Sequence, residues 1–482
     1  MAFSRRLAAL LLASLLAASS VSAHELPELG DVAAEDLPIA AEKRIGQQIM
    51  HEIRWREAAY LDDPDVEFYL NQLGNRLASF SADPGFGFQF FAIADPSINA
   101  FAMPGGYIGV HTGLILAAQS ESELAGVLAH EISHVTQRHI ARQIYQSKKV
   151  SIASMVAMGL ALLAARSNGQ VATAAIATSQ AGALSAQLAF SRDYEREADR
   201  LGFDTLSKAG FDERGMAQFF ERLQQSARLY ESSATAYLRT HPLSGERMSD
   251  MQNRERALPY RQIADSLDFQ LVRARLRANQ GLPAEAIKDF SQLLQARKFS
   301  NEVVVRYGLA QAFFRARDWA AAAREIDAAR AAHQPSAMLE RLAAQIRLAN
   351  GQGVEALRIY REAMQRYPQN TALIYGYGDA LGELRRYDET LRFAEEQLLA
   401  NPQDVRLHKL RALAYAGQGR QAMQHRALAE VFALQGQTQG AIGQLELAQK
   451  AGDANFYEMS SIDARLRELK LQRVEEMKAQ RN

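Results

Sequence analysis

The sequence of 482 residues contains no cysteine and has no net charge. Without cysteine, disulfide bonds, thiolate metal sites and a cysteine-linked lipid are excluded. The 55 basic residues equal the 55 acidic residues in number, so the composition does not indicate nucleic-acid binding or a polybasic membrane surface. Any metal site must therefore be built from histidine and carboxylate side chains.

Apolar runs long enough to span a membrane are also lacking. Residues 1–23 contain Arg5 and Arg6, then a short apolar run, then Val21-Ser22-Ala23, which is the pattern of a cleavable signal peptide. We expect an exported mature chain that begins near His24 and is either free or peripherally bound to a membrane; a retained anchor is the alternative. Residues 150–165 carry no charge and predict a buried or surface-lying helix rather than a span.

The first half of the chain predicts an α+β domain. Residues 35–80 have helical periodicity with a break at Asp63-Pro64, and the aromatic and β-branched residues of 85–95 predict a strand. A Pro-Gly-Gly turn leads into a second predicted strand at 107–110. We expect a short hairpin-like sheet, followed by helices as far as about residue 230.

The second half predicts an all-α tetratricopeptide-repeat solenoid. Similar segments align on Ala286, Ala322, Ala356 and Thr390, at spacings of 36, 34 and 34 residues, and a period of 34 is typical of this repeat. The register blurs after residue 410, although 436–448 resembles one more second helix. The alternative is a generic alanine-rich bundle. Such repeats form a superhelix whose concave face binds peptides or partner proteins. The predicted divisions of the chain are a signal peptide at 1–23, the α+β domain at 24–262 and the repeat domain at 263–482.

A helical run at 125–139, AGVLAHEISHVTQRH, contains the candidate metal site. His130 and His134 are four residues apart and project from the same helix face, so both imidazoles can bind one zinc ion. Glu131 lies about 100° round the helix, where it can act as general base on a zinc-bound water. This HExxH arrangement predicts a zinc metallopeptidase.

The third ligand must come from elsewhere in the chain. Gln137 and Ile140 exclude the metzincin pattern, and helical geometry predicts that His139 faces solvent. In SRDYEREADRLGF, residues 191–203, we expect a helix capped by Ser191. Glu195 would complete a His₂Glu site with a fourth position for water, and Asp199, one turn on, would accept the free ring N–H of a ligand histidine. An ordinary charged surface helix is the alternative for this stretch.

These motifs carry a family resemblance over about residues 35–255. HEISH followed by EREAD resembles the HExxH…ExxxD signature of the family that contains the CAAX prenyl proteases and the bacterial heat-shock membrane protease. The runs 99–115, NAFAMPGGYIGVHTGLI, and 240–248, THPLSGERM, are also similar. With a signal peptide before it and repeats after it, the layout resembles the periplasmic β-barrel assembly-enhancing proteases of Gram-negative bacteria.

The resemblance implies a fold and function. It implies a zincin-like domain with one zinc ion on His130, His134 and Glu195 and with Glu131 as base. His241 matches the family's downstream histidine and is either a donor to the oxyanion or a fourth ligand that displaces water; Arg247 would also stabilise negative charge. The substrates would be unfolded or misassembled outer-membrane proteins in the periplasm, where the repeats would bind the barrel-assembly machinery.

The substrate is expected to lie along the strand at 107–110 as an added β-strand. Two other interpretations stay open: a repeat-based chaperone or scaffold whose zinc site is largely closed, and a membrane-resident protease of the prenyl or heat-shock type.

Overall fold

The computed structural model of the protein describes residues 37–147, 191–229, 235–256 and 263–479. The predicted signal peptide and the apolar run at 150–165 lie outside the described residues. Within those ranges, no helix combines the length and the apolar character needed to cross a bilayer.

The first domain consists of helices around one small sheet. Its elements in chain order are α1 (Ile39–Arg56), α2 (Pro64–Ala78), β1 (Gln89–Ile93), β2 (Ala100–Met103), β3 (Tyr107–His111), α3 (Thr112–Ala117), α4 (Glu121–Thr136), α5 (His139–Ser147), α6 (Arg192–Lys208), α7 (Arg214–Leu229), α8 (Thr235–Thr240) and α9 (Gly245–Arg256). Helix α2 begins where predicted, because the Asp63 side chain caps it and Pro64 occupies its first turn.

The sheet differs from the hairpin-like sheet that the sequence predicts. Its strand order is β1-β3-β2; β1 pairs in parallel with β3, and β2 pairs antiparallel with β3. The hairpin is formed by β2 and β3 around Pro104–Gly106, where Gly105 and Gly106 have positive φ. The prediction missed β2, because its sequence AFAM shows no alternation of polar and apolar residues.

The second domain is a solenoid of helices. They are α10 (Leu267–Asn279), α11 (Pro283–Gln295), α12 (Glu302–Arg315), α13 (Trp319–Ala331), α14 (Ala337–Ala349), α15 (Gly353–Arg366), α16 (Thr371–Glu383), α17 (Tyr387–Ala400), α18 (Val405–Gly417), α19 (Gln421–Leu434), α20 (Thr438–Lys450) and α21 (Phe456–Ala479). The residues on which the repeats align lie in the second helices α11, α13, α15 and α17, and all are buried. The prediction of an α+β domain followed by an all-α solenoid is confirmed.

From residue 405 the chain continues as helices α18 to α21, and helix α20 coincides with the segment 436–448 that resembles one more second helix. The turns before α19, α20 and α21 each contain a glycine with positive φ, at Gly419, Gly436 and Gly452.

Helix α2 of the first domain packs against the solenoid. It contacts the first helices α10 and α16. Three acids at or just before its N-terminus form ion pairs with arginines of α10, α14 and α18. Part of the surface formed by the first helices of the repeats is therefore covered by the chain itself.

Candidate metal centre

Helix α4 presents the HExxH residues from a buried position. Ser120 caps its N-terminus by accepting a hydrogen bond from the Glu123 amide, 3.3 Å away. His130, Glu131 and His134 are all 1% exposed or less. These three polar side chains are out of reach of bulk water. They therefore need hydrogen-bond or metal partners within the protein.

Helix α6 brings the carboxylates to the histidines. Ser191 caps it by accepting from the Tyr194 amide, as predicted. Gly202 allows α6 to approach α4 closely, because an added Cβ would lie 3.0 Å from the His130 nitrogen. Glu195 and Asp199 are consequently buried against the histidines.

Four side chains from three parts of the chain converge on one point. The ligand atoms of His130, His134, Glu195 and His241 all lie within 4.8 Å of one another, and all four residues are buried. The Nε2 atoms of His130 and His134 are 3.0 Å apart. His241 Nδ1 lies 3.3 Å from His130 Nε2 and 3.0 Å from Glu195 Oε1.

These separations match the size of a metal coordination sphere. Ligands about 2.0–2.1 Å from a tetrahedrally bound zinc ion are about 3.3 Å from each other. Glu195 Oε1 is 3.4 Å from His134 Nε2, and Glu195 Oε2 is 3.5 Å from His130 Nε2. Nitrogen and oxygen atoms with lone pairs gather here at coordination distances, so the residues present fit a bound metal ion.

The electrostatics of the site also favour a cation. Burial lowers the pKa of His134 well below its ordinary value, so this imidazole is neutral, as a ligand must be. Burial opposes ionisation of Glu195, but the charge of His241 and hydrogen bonds with the histidines hold its pKa well below the usual range. The carboxylate is therefore ionised and attracts positive charge.

Asp199 and Arg247 support the ligands from behind. Asp199 Oδ1 lies 3.0 Å from His130 Nδ1, which is the contact that the predicted role of Asp199 requires. Arg247 pairs with Asp199 through Nε at 2.6 Å and with Glu195 through NH1 at 2.6 Å. Burial opposes the charge of Asp199, but hydrogen bonds with His130 and Arg247 lower its pKa. Arg247 thus forms ion pairs with two carboxylates of α6.

His139 is buried, and the prediction that it faces solvent is wrong. Helix α4 ends at Thr136, and Arg138 has a φ of 53°, so helical geometry cannot be extended to residue 139. The new direction of the chain places His139 Nδ1 2.9 Å from His134 Nδ1. Burial lowers the pKa of His139 to about 4, so the ring is neutral at physiological pH.

The short helix α8 and the residue after it cover the site. Tyr237 and His241 are four residues apart, and their rings stack with centroids 4.5 Å apart. His241 Nε2 and the Tyr237 hydroxyl each lie 3.4 Å from Glu131 Oε1. The sequence prediction missed Tyr237, although its spacing of four residues from His241 could have indicated it.

Glu131 has one oxygen without a hydrogen-bond partner. Its Oε2 is buried and makes no hydrogen bond within the described part of the chain. A buried carboxylate oxygen normally finds a donor. This oxygen lies beside the ligand cluster and is available to accept a proton.

The fold and this site are those of a metallopeptidase. The sequence matches peptidase family M48 over residues 64–255 and a tetratricopeptide repeat over residues 347–414. The first match contains all four converging side chains, and the second lies within the solenoid. The predicted enzyme class is confirmed, with a metal as cofactor.

Comparison with individual proteins shows to which metallopeptidases the chain is similar. The beta-barrel assembly-enhancing protease of Escherichia coli strain K12 is 30% identical over 480 residues, 97% of each chain. The Yersinia pestis protein of the same name is 29% identical over 446 residues, 92% of this chain and 91% of that one. A Vibrio cholerae relative is 43% identical over 267 residues, 55% of each chain. The chain belongs to the family of beta-barrel assembly-enhancing proteases, which confirms the resemblance.

Proposed function

We propose that the protein is an exported zinc metalloendopeptidase that degrades misassembled outer-membrane β-barrel proteins in the periplasm. The observation that carries this proposal is the convergence of His130, His134, Glu195 and His241 beside Glu131. A set of imidazole nitrogens and one carboxylate is typical of catalytic zinc sites. His130, His134 and Glu195 would hold the ion.

Each residue of the site has a task that follows from its position. A bound zinc ion supplies Lewis acidity and lowers the pKa of water at this point. Glu131 takes a proton from the attacking water through its unbonded Oε2 and delivers it to the leaving amine. Asp199 keeps His130 in the tautomer with a proton on Nδ1, so that Nε2 remains a ligand. Arg247 helps to keep Asp199 ionised and holds Glu195 in place through an ion pair.

His241 acts as a fourth ligand in the arrangement described here. Its Nδ1 lies among the ligand atoms, and its Nε2 faces Glu131. A water molecule needs the same fourth position in order to react. We therefore infer a latent enzyme, which becomes active when the segment from Tyr237 to His241 moves away.

The substrate strand needs a sheet edge. The strand at 107–110 cannot serve, because β3 is central and pairs with β1 and β2 on its two sides; that prediction is wrong. The outer edge of β1 is covered, since Tyr60 bridges to Ile93. Within the described residues β2 pairs only with β3, and it packs beside α4. We assign the extended substrate backbone to the outer edge of β2.

The names of the relatives support the substrate class and location. Proteins called beta-barrel assembly-enhancing proteases act in barrel assembly, which takes place between export and insertion into the outer membrane. Unassembled barrel proteins expose strand backbone, which suits binding at a sheet edge. The repeats would contact the assembly machinery. The predicted chaperone activity belongs to the same proposal, through binding without cleavage.

Replacement of Glu131 by glutamine tests the enzymatic role. Glutamine keeps the size of the side chain but cannot accept the proton, so we expect proteolysis of an unfolded outer-membrane barrel protein to fall about 10²- to 10⁴-fold. Elemental analysis should still find one zinc per chain. Glu221→Gln, an exposed change on α7, is the matched control and should retain full activity.

The same variant separates the enzyme from a repeat-based scaffold. If Glu131→Gln retains zinc and also all cellular function, the repeats do the essential work and the peptidase does not. If purified wild-type protein binds no stoichiometric metal after reconstitution, the zinc site itself is wrong.

A further inference from the structure

The two ligand histidines of α4 are supported in different ways. The second nitrogen of His130 faces a carboxylate, Asp199, at 3.0 Å. The second nitrogen of His134 faces another imidazole, His139, with the two Nδ1 atoms 2.9 Å apart. A carboxylate or a carbonyl is the usual partner for the second nitrogen of a ligand histidine. At His134 an imidazole takes that place.

The contacts of His139 continue to the protein surface. Its Nε2 lies 3.1 Å from Glu197 Oε2, and Arg142 NH1 lies 3.1 Å from the same oxygen. Glu197 comes from α6, between Glu195 and Asp199 in the sequence. Helix α6 therefore sends one carboxylate into the ligand cluster, one behind His130, and one behind His134 through His139.

Stacking fixes the plane of the His139 ring. It lies on the Tyr194 ring at a centroid distance of 4.5 Å and an angle of 12°. The Arg142 guanidinium lies 4.6 Å from the centroid of the Tyr194 ring. The backbone of Arg138 has a positive φ, in the left-handed region. This turns the chain so that the His139 side chain points back to the site.

Hydrogen-bond directions then determine the tautomers. A neutral imidazole has one donor and one acceptor nitrogen. The carboxylate of Glu197 can only accept, so His139 carries its proton on Nε2 and accepts at Nδ1. His134 must consequently carry its proton on Nδ1, and the lone pair of its Nε2 is directed to the ligand cluster.

We propose that His139 is a positioning residue that, together with Glu197, holds His134 in its metal-binding tautomer and orientation. This inference rests on the proposed metal site. His139 takes the place that a carboxylate takes behind His130. The charge of Glu197 is kept outside the buried centre and balanced by Arg142, so support for His134 adds no further buried anion.

Two substitutions of His139 separate positioning from packing. Phenylalanine retains the stacking on Tyr194 but offers no acceptor to His134. Asparagine loses the stacking, while its Oδ1 can accept near the place of Nδ1. We expect His139→Phe to weaken Zn²⁺ binding about 10- to 100-fold, measured by competition with a chromophoric chelator. His139→Asn should restore most of that loss.

Two further measurements complete the test. The Co²⁺-substituted protein should show a changed d–d spectrum in His139→Phe and a spectrum close to wild type in His139→Asn. Glu197→Ala should weaken Zn²⁺ binding about 10-fold, whereas Asp204→Ala, which removes an exposed ion pair with Lys208 on the same helix, should leave it unchanged. These surface variants decide the matter even if a His139 variant fails to fold.

The outcomes distinguish this inference from the proposed function. Wild-type protein that binds no Zn²⁺ overturns both. Wild-type protein that binds Zn²⁺, with Glu197→Ala and His139→Phe binding equally well, overturns the positioning role alone. If His139→Phe binds Zn²⁺ better than His139→Asn, His139 serves packing and the inference is also wrong.

Discussion

At the scale of single residues, the proposed latent state depends on the position of His241. The sequence left two roles open for it, a donor to the oxyanion and a fourth ligand. Its Nδ1 lies at ligand distance from the others, and Tyr237 stacks on the ring. A donor to the oxyanion would need a free fourth position for the reacting water, so the geometry favours the latent form.

Replacement of His241 by alanine should activate the enzyme. With the fourth position free for water, we expect proteolysis of an unfolded barrel protein to increase several-fold, while zinc remains bound by three ligands with reduced affinity. The measurement is the initial rate of cleavage at saturating zinc. Thr240→Ala, the neighbouring residue of α8, is the control. A fall of about 10²- to 10³-fold would instead identify His241 as the oxyanion donor.

At the scale of elements, the centre depends on how closely α4 and α6 pack. The two helices are far apart in the sequence, yet they place the Glu195 oxygens 3.4 Å from His134 Nε2 and 3.5 Å from His130 Nε2. Gly202 makes this possible, since an added Cβ would also lie 3.1 Å from the carbonyl carbon of Ala129. A side chain at this position would separate the helices without changing any ligand.

Replacement of Gly202 by valine should therefore weaken metal binding although Gly202 is not a ligand. We expect the change to destabilise the protein by about 1–3 kcal/mol through overpacking and to lower Zn²⁺ affinity, with Gly202→Ala intermediate. Denaturant unfolding and chelator competition measure the two effects. Gly443→Ala is the control, because an added Cβ there meets nothing within 4 Å. Unchanged metal affinity in Gly202→Val would show that helix spacing does not set the site.

The sequence predicted the repetitive and local features well. HExxH fixes its own geometry within one helix, the cap at Ser191 is local, and a period of 34 is visible without a structure. The predictions failed where the chain changes direction and where strands that are distant in the sequence pair with each other. The position of His139 depends on the backbone at Arg138, and the parallel pairing of β1 with β3 depends on packing rather than on any turn. The contact of Arg247 with α6 had no local signal.

At the scale of the whole molecule, buried ion pairs hold the two domains together. Asp63 at the start of α2 lies 2.7 Å from Arg275 of α10, and Asp65 lies 2.6 Å from Arg341 of α14. These four residues are buried. Burial opposes ionisation of Asp63, but the charge of Arg275 and its hydrogen bond lower the pKa of the carboxyl group below its usual value. The pairing therefore contributes stability only while Asp63 is ionised.

Replacement of Asp63 by asparagine should remove a pH-dependent part of the stability. Asparagine still caps α2, but Arg275 loses its nearest carboxylate and keeps Asp65 at 3.5 Å, so we expect a loss of about 1.5–3 kcal/mol at pH 7. Because the folded pKa is below the unfolded one, this difference should shrink as the pH falls below about 4. Denaturant unfolding across pH gives the comparison. Asp250→Asn, which breaks an exposed pair with Arg254, should have little effect; a difference that is constant with pH would contradict the assignment.

The contact between α2 and the repeats has a mechanical consequence. Asn71 of α2 bonds both backbone groups of Phe90 in β1, at 2.7 and 3.0 Å, so the helix that packs against the repeats is also tied to the sheet beside the HExxH helix. A displacement of α10 or α16 would therefore be transmitted through α2 to the strands next to the candidate metal centre.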